Sequence, residues 1–140
     1  MGRDRALTLI AMIICVGCDS GAGRMSVRGK VTFHGQPVQR GTIQFAPAER
    51  TAGQSGGGVI TDGLFEVSAE GGLLAGQTYV VRIIALRGTG RTAPNRLDPD
   101  APPVEVEENY IPPIYNSQST LTVTISETAS ENTFEFPLDS

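Results

Sequence analysis

Hydrophobic residues alternate with polar ones in two neighbouring runs early in the chain. This period of two is typical of strands that turn one face to a core and the other to water. The break between the runs, His-Gly-Gln-Pro at 34–37, is rich in turn-forming residues. The stretch therefore predicts a hairpin-like pair of strands. The inward positions are Val27, Val31 and Phe33 in the first run and Ile43 and Phe45 in the second.

Further strands follow at intervals. Asp62-Gly63 separates two β-rich runs, 58–61 and 64–68, and Asp-Gly is a strong hairpin signal because glycine accepts a positive φ. The apolar run 78–86 is nearly continuous, which predicts a central strand with little solvent on either face. The last two runs, 119–125 and 133–138, alternate again, and Pro137 predicts that the final strand is an edge strand.

These patterns predict an all-β domain, a single Greek-key-like β-sandwich of about seven short strands. The 17 glycines and 9 prolines suit many turns, and we expect no helix longer than two turns after residue 25. The 140 residues leave room for one domain. The inward sets of the strands predict one core that contains Phe33, Phe45, Phe65, Ile83, Val123 and Phe134.

Two segments lack this periodicity. Residues 49–58 are rich in Gly, Ser and Thr and are interpreted as a loop. Residues 87–118 contain six prolines and predict a long Pro-rich loop. Because compact domains rarely carry such a long connection without a use, this loop is the expected functional surface.

The start of the chain has the layout of an export signal. Arg3 and Arg5 precede the apolar run 6–14, which is shorter than the ~20 residues needed to span a bilayer. The ending Val16-Gly17-Cys18 resembles the lipobox of bacterial lipoproteins, in which a small residue precedes the cysteine that receives the lipid.

We therefore expect a signal peptide at 1–17, a lipidated Cys18 that begins a tether at 18–25, and the domain at 26–140. The alternatives are an ordinary signal cut near Gly21-Ala22-Gly23 and an uncleaved anchor. The expected location is outside the cytoplasm, on the membrane, facing the periplasm or the cell surface. The formal net charge of −4, with no basic stripe, argues against nucleic acid as a partner.

Few residues suggest catalysis or metal binding. Cys15 and Cys18 form a Cys-x-x-Cys, but no second cysteine pair accompanies them. His34, the sole histidine, lies in the predicted turn and is interpreted as a solvated side chain. Weak Ca²⁺ binding is an alternative for the acidic residues of the Pro-rich loop, although no Asp-x-Asp-x-Asp-Gly sequence fixes a geometry. These residues are Asp98, Asp100, Glu105, Glu107 and Glu108.

A Lys-to-Asn isopeptide bond between Lys30 and Asn132 is another alternative, but the parity of Lys30 points it to water and such a bond needs a buried lysine. Tyr110, Tyr115 and Asn116 are the candidate interaction surface, because tyrosine rings flanking Pro112-Pro113 suit stacking on a sugar or a peptide. The other interpretation is that Tyr115 packs the loop onto the sandwich.

Several motifs resemble those of the carboxypeptidase regulatory-like and transthyretin-like β-sandwich group, as it occurs in small bacterial lipoproteins. They are Gly29-Lys30-Val31 through Gly35-Gln36-Pro37-Val38, Thr61-Asp62-Gly63-Leu64-Phe65, and Ile111-Pro112-Pro113-Ile114-Tyr115-Asn116 through Ser119-Thr120-Leu121. The resemblance covers nearly the whole chain. It implies a fold and a location, and no established activity.

The expected function is a non-enzymatic, lipid-anchored module that mediates interactions or gives structure at the cell envelope, without a cofactor or metal. Its expected partners are the membrane, through the lipid, and an unidentified envelope protein or glycan. One alternative is a carbohydrate- or peptide-binding module that uses residues 87–118. Another is an accessory subunit that carries a small ligand.

Overall fold

The computed structural model describes residues 23–48 and 53–139. The predicted signal, Cys18 and most of the predicted tether lie outside this part of the chain. Its regular structure is β, apart from single-turn 3₁₀ helices at Pro113–Tyr115 and Ala129–Glu131. The strands are β1 Arg24–Met25, β2 Val27–Phe33, β3 Gln36–Pro37, β4 Arg40–Pro47, β5 Gly56–Thr61, β6 Leu64–Val67, β7 Leu73–Leu74, β8 Thr78–Ala93, β9 Val104–Asn109, β10 Thr122–Thr124 and β11 Thr133–Leu138.

Nine of these strands form a single curled sheet that wraps around the core. The order is β10-β8-β4-β5-β6-β2-β11, with β3 added to β2 and β9 added to β8. The pairs are antiparallel except for β2 and β11, which run parallel. β11 lies at one end of the order, so the predicted edge position of the strand with Pro137 is confirmed. The all-β sandwich is therefore the fold of this domain.

The described residues form more strands than the seven predicted. The excess comes from three strands of two residues each, β1, β3 and β7, and from β9, which lies in the segment predicted as a loop. β1 pairs with β7, so Arg24 and Met25 belong to the folded domain and not to a free tether. Thr122–Thr124 is shorter than the predicted 119–125 strand: Leu121 N–H bonds to the Ser119 side chain, and the Leu121 carbonyl accepts from Val81 N–H of β8 at 2.8 Å.

The inward faces of these strands supply the core. In β4 and β8, Ile43 faces Ile83 and Phe45 faces Val81 across the ladder, and all four side chains are buried. The ring of Phe65 lies 6.1 Å from the ring of Phe45, centroid to centroid. Of the six core residues predicted, three are fully buried, and the other three are half-buried and pack against the same cluster. The buried ones are Phe45, Phe65 and Ile83; the half-buried ones are Phe33, Val123 and Phe134.

Two tight turns have the predicted geometry. Asp62 and Gly63 have φ of 51° and 81°, as a two-residue hairpin between β5 and β6 requires. His34 and Gly35 have φ of 49° and 76° and join β2 to β3.

The predicted pairing of the first two long strands is wrong. β4 pairs with β5 and β8, and β6 lies beside β2 instead. The reason lies in residues 38–39, whose carbonyls accept hydrogen bonds from Gly63 N–H at 2.8 Å and Asp62 N–H at 3.0 Å. These bonds hold the turn between β5 and β6 against residues 38–39. As a result, β6 pairs with the edge of β2 to which β4 would have to pair in the predicted hairpin.

The strand predicted to be covered on both faces is covered on one. In β8, Tyr79, Val81 and Ile83 are buried, whereas Arg82 and Ile84 on the other face are exposed. β8 is flanked by neighbours on both edges, but it lies next to the end of the sheet and not at its centre. The outward isoleucine explains why the sequence pattern suggested two buried faces.

Residues 56–58, interpreted as part of a loop, form the start of β5. Gly57 pairs with Gln44 of β4, and a side chain at Gly57 would place its Cβ 2.5 Å from the carbonyl oxygen of Ile43. Glycine is needed here because two strands approach closely, and not because the chain turns.

Candidate interaction arm

Beyond the sandwich, β8 and β9 continue as a two-stranded ribbon, which we call the arm (residues 87–109). The pairing runs from Leu86 and Asn109 to Ala93 and Val104, and most side chains of the arm are exposed. The predicted loop at 87–118 is therefore largely a hairpin. Four of its prolines lie in the connection 94–103 and two follow β9, so none lies within a strand. The prolines delimit the strands instead of preventing them.

The base of the arm is held by charged side chains. Arg87 donates to Glu108 Oε1 at 2.8 Å, and its guanidinium lies 5.3 Å from the centre of the Tyr110 ring. Arg40, at the start of β4, forms an ion pair with Glu107. The Arg40–Glu107 pair joins the arm to the sandwich, and the Arg87–Glu108 pair joins the two strands of the arm. The side chains of both pairs remain partly exposed, so each pair contributes little energy.

A bulge between Gly88 and Thr92 interrupts the ribbon. Gly90 has a φ of 71°, and its N–H donates to the Glu105 carboxylate at 3.1 Å. Thr89 Oγ1 donates to the carbonyl oxygen of Val106 at 2.7 Å. The polar groups that the bulge removes from the ladder are thus partly satisfied by side chains of the arm itself.

The tip of the arm (residues 94–103) presents one leucine, Leu97. Asn95 Oδ1 accepts from Leu97 N–H at 2.9 Å and from Asp98 N–H at 3.1 Å, and Asp98 Oδ1 accepts from Asp100 N–H at 3.1 Å. These bonds fix the backbone around Leu97, whose side chain is 98% exposed. Leu97 is thus a single exposed leucine on an ordered turn.

Residues 110–121, which we call the clamp segment, follow β9 and return to β8. Ile111 is buried, and the Tyr115 hydroxyl donates to the carbonyl oxygen of Asp139 and accepts from Asp139 N–H at 2.9 Å. The Ser119 hydroxyl donates to the carbonyl oxygen of Val81, where the ladder is interrupted. The clamp segment thus ties β8 to the end of β11.

The candidate interaction residues of the sequence analysis lie in this clamp segment. Tyr110 meets the Phe33 ring edge-on at 5.7 Å and is half-buried, as is Tyr115. Asn116 Nδ2 donates to the carbonyl oxygen of Pro112 at 3.2 Å, and Asn116 Oδ1 accepts from Ser117 N–H at 2.8 Å. Tyr115 therefore packs the segment onto the sandwich, as the second interpretation of the sequence expected.

The lysine and asparagine considered for an isopeptide bond point in different directions. Lys30 is exposed and lies beside Glu135 in the ladder of β2 and β11. Asn132 is buried, its Nδ2 donates to the carbonyl oxygen of Ser126 at 2.9 Å, and its Oδ1 accepts from Ser126 N–H at 2.8 Å. The amide of Asn132 closes the turn before β11 and is not offered to Lys30.

The acidic residues of the arm do not converge. Glu107 and Glu108 are paired with arginines, and Glu105 is bound to Gly90. Within residues 23–48 and 53–139, no three His, Cys, Asp or Glu side chains come together as a metal site would require. His34 is exposed in its turn, where its ring lies 4.1 Å from that of Phe33.

A shallow groove of about 630 Å³ crosses the outer face of β5, β6, β2 and β11. Val59 and Leu64 give it an apolar part, and Arg28, Lys30 and Glu66 give it charges. Its lining also includes the hydroxyl-bearing side chains of Thr61 and Thr133 and the carboxylate of Glu135.

Sequence reasoning missed the arm and Leu97. Two signals were present: the alternation of Val104 and Val106 with glutamates, and a single leucine in the otherwise polar and Pro-rich connection 94–103. The six prolines of residues 87–118 led instead to the prediction of a loop. In the described residues we find no helix with the length and apolar character needed to cross a bilayer.

Comparisons with known proteins give little guidance. No protein family matches the chain, and no curated protein does. Among solved structures, a 9R-lipoxygenase from Cyanothece is similar over 96% of this chain, with 13% identity and a TM-score of 0.39. The chain spans only 18% of the length of that lipoxygenase.

Proposed function

We propose that this chain is a non-enzymatic, lipid-anchored β-sandwich outside the cytoplasm, and that it acts as an interaction module at the cell envelope. The observation that carries the interaction role is the arm, an exposed ribbon that extends beyond the core of the sandwich and ends in a hydrogen-bonded tip. The expected resemblance to carboxypeptidase regulatory-like lipoproteins remains part of this proposal.

The anchor rests on the sequence. Arg3 and Arg5 hold the start of the chain on the cytoplasmic side, the run 6–14 enters the translocation path, and Gly17 gives a peptidase access to the bond before Cys18. A diacylglyceryl group on Cys18 and an acyl chain on its amine supply the two or more chains that stable attachment needs.

The absence of catalysis is proposed from the scatter of reactive groups within residues 23–48 and 53–139. The sole histidine lies in the turn after β2, and the arm carboxylates Glu107 and Glu108 are paired with arginines. A hydrolase needs a nucleophile, a base and an orienting group within hydrogen-bond reach of one another.

Expression of the full-length protein and of Cys18→Ser in a bacterium tests the anchor. We expect the wild-type protein in the membrane fraction with an intact mass raised by the lipid, and the variant released or unprocessed. A wild-type mass equal to that of the unmodified chain, or equal membrane retention of both proteins, would refute the anchor.

The second candidate function is carbohydrate or peptide binding through residues 87–118, and the exposed ribbon of the arm favours it. A sharp variant replaces the tip with the two residues Asn-Gly, since Ala93 and Val104 are paired and a two-residue turn closes such a pair. To test this candidate function, glycan and peptide arrays are probed with the wild-type protein and with the tip replacement. We expect the wild-type protein to bind and the replacement to abolish that binding. Binding that survives replacement would assign the ligand to another surface.

A further inference from the structure

The sheet ends at β11, and the outer edge of this strand is open. In the parallel ladder with β2, Arg28 N–H donates to the carbonyl oxygen of Asn132 at 3.1 Å, so the even-numbered residues of this segment turn their backbone groups to β2. Successive residues of a strand turn these groups to opposite edges. Thr133 and Glu135 therefore offer their N–H and C=O groups to the outer edge, where no backbone group of the described chain bonds to them.

The open part of this edge is short. After it, Pro137 has no N–H to offer, and the Tyr115 hydroxyl bonds to both backbone groups of Asp139. Before it, the N–H of Glu131 is already bonded within the 3₁₀ turn that precedes β11. A partner strand can therefore exchange backbone bonds only along residues 133–135.

The other open edges of the described strands suit pairing less well. β10 has only three residues. β9 is longer, but it carries Glu105, Glu107 and Glu108, and charged side chains on an edge discourage pairing with another chain. β11 has six residues, of which only Glu135 is charged.

The open stretch is complementary to itself. If a second copy lies antiparallel about a two-fold axis at Phe134, Thr133 of each copy lies opposite Glu135 of the other. Each of these two pairs exchanges both of its backbone bonds. Pro137 then lies opposite Glu131 of the second copy, whose N–H is already used, so the missing N–H of the proline costs no bond.

The neighbouring two-fold registers are worse. An axis at Glu135 places the two copies of this glutamate opposite each other and places Pro137 opposite Thr133, whose carbonyl then lacks a donor. An axis at Thr133 places Glu135 opposite Glu131. Like charges directly opposite each other destabilise a pair of strands, so the axis at Phe134 is favoured.

The inward side chain of the open stretch also fits this register. Phe134 is half-buried, packs against the core and lies 6.3 Å from the ring of Phe136. At the two-fold axis it faces its own copy in a non-hydrogen-bonded pair, in which the Cα atoms are about 4.5 Å apart. Such pairing covers the exposed part of the ring and adds a cross-strand aromatic contact.

The outward charges are complementary across the axis. The ladder of β2 and β11 places Arg28 beside Thr133 and Lys30 beside Glu135. In the paired sheet, each Glu135 therefore lies between its own Lys30 and the Thr133 of the second copy, with Arg28 of that copy on the next strand. No like charges become neighbours in either row.

We propose that a second copy of this chain pairs with the first along β11, antiparallel and about a two-fold axis at Phe134, so that one sheet continues through two molecules. The pairing needs neither Cys18 nor a lipid. Its failure and the failure of the proposed anchor are therefore separate results.

Disulfide formation between two copies tests the contact and its register. Two differently tagged full-length copies, one with Thr133→Cys and the other with Glu135→Cys, are co-expressed, purified together and oxidised. In the proposed register the Cα atoms of this mixed pair lie about 5.5 Å apart, within reach of a disulfide. Identical positions meet only on the diagonal, at about 7–8 Å. We expect the mixed pair to crosslink several-fold more than either variant with itself.

Two controls accompany this experiment. The unsubstituted protein, whose cysteines are Cys15 and Cys18, gives the background. The matched pair is Thr122→Cys with Thr124→Cys, two exposed threonines on β10 at the other end of the sheet order, and it should stay at background. A mixed-pair yield at background, or equal yields for mixed and identical pairs, overturns the proposed pairing.

Removal of one edge donor tests the backbone bonds. Glu135→Pro deletes an N–H that points away from β2, so the ladder within the molecule keeps its bonds. Thr122→Pro is the matched control on β10: Val81 N–H bonds to the Leu121 carbonyl, so the N–H of the next residue points away from β8. In a pull-down between two tagged full-length copies, we expect recovery to fall at least tenfold with Glu135→Pro and to stay unchanged with Thr122→Pro.

The far-UV circular dichroism spectrum of each proline variant is compared with that of the wild-type protein. Equal recovery for Glu135→Pro and the wild type, or an equal loss in both proline variants, overturns the pairing along β11. If Glu135→Pro fails to fold, the disulfide experiment decides, because its substitutions leave every backbone N–H in place.

Discussion

The sandwich and the arm share strand β8 but are stabilised in different ways. Up to Ala85 the strand buries every second side chain against the core, and beyond Leu86 nearly every side chain is exposed. Buried apolar area stabilises by roughly 25 cal/mol per Å², whereas an exposed ion pair contributes about 0–1 kcal/mol. One strand therefore crosses from a region held by its core to one held by hydrogen bonds and charges. The arm is expected to open locally at a lower free energy than the sandwich unfolds.

The largest loss of stability is expected for a substitution in the core of the sandwich. Phe65 is 4% exposed, and its ring lies 6.1 Å from the rings of Phe45 and of Phe136. Phe65→Ala removes those contacts and leaves a cavity, so we expect the free energy of unfolding to fall by about 3–5 kcal/mol in a urea titration. Leu64→Ala is the matched control, because the neighbouring side chain is 61% exposed and should cost much less. A loss under about 1 kcal/mol for Phe65→Ala would place this residue outside the core.

A smaller loss of stability is expected for a substitution in the clamp segment. Tyr115→Phe keeps the ring and removes both hydroxyl bonds to Asp139, so we expect a loss of about 0.5–1.5 kcal/mol. Tyr110→Phe is the control, because its ring packs on Phe33 while its hydroxyl has no partner among the described residues. Equal stability losses in the two variants would show that the hydroxyl of Tyr115 does not hold the end of β11.

The contrast between the two regions also explains what the sequence could predict. A period of two is imposed where one face of a strand is buried, so β2, β4, β6 and β11 were predictable from their apolar positions. The arm has no core beneath it, so its strands need no such alternation. Its pairing depends on register, on a bulge at Gly90 and on ion pairs between residues distant in the chain, which a local pattern does not contain.

The candidate site was predictable only as a region. The 87–118 segment was correctly singled out as unusual, but its tyrosines serve the sandwich: Tyr110 packs on Phe33 and Tyr115 bonds to Asp139. A tyrosine suits burial and binding equally well, so its type does not decide between them. Leu97 becomes conspicuous only when its exposure is known.

The smallest effect is expected at the base of the arm. Arg87 and Glu108 pair at 2.8 Å, and their side chains are 62% and 46% exposed. Arg87→Ala, Glu108→Ala and the double variant form a cycle that isolates the pair from the contact between Arg87 and Tyr110. We expect a coupling energy of about 0.2–1 kcal/mol, read from amide hydrogen exchange in β9, because solvent screens an exposed pair. Since salt screens such charges further, the coupling should shrink as ionic strength rises.

Arg91→Ala is the matched control for this cycle, because Arg91 lies in the same ribbon and its guanidinium makes no ion pair within the described part of the chain. It should leave exchange in β9 nearly unchanged. The comparison between the two regions predicts that breaking the Arg87–Glu108 pair speeds exchange in the arm while exchange in β4 and in the sandwich part of β8 stays the same. If exchange rises equally in β4 and β9, the arm and the sandwich unfold as one unit, and the arm is not a separately stabilised element.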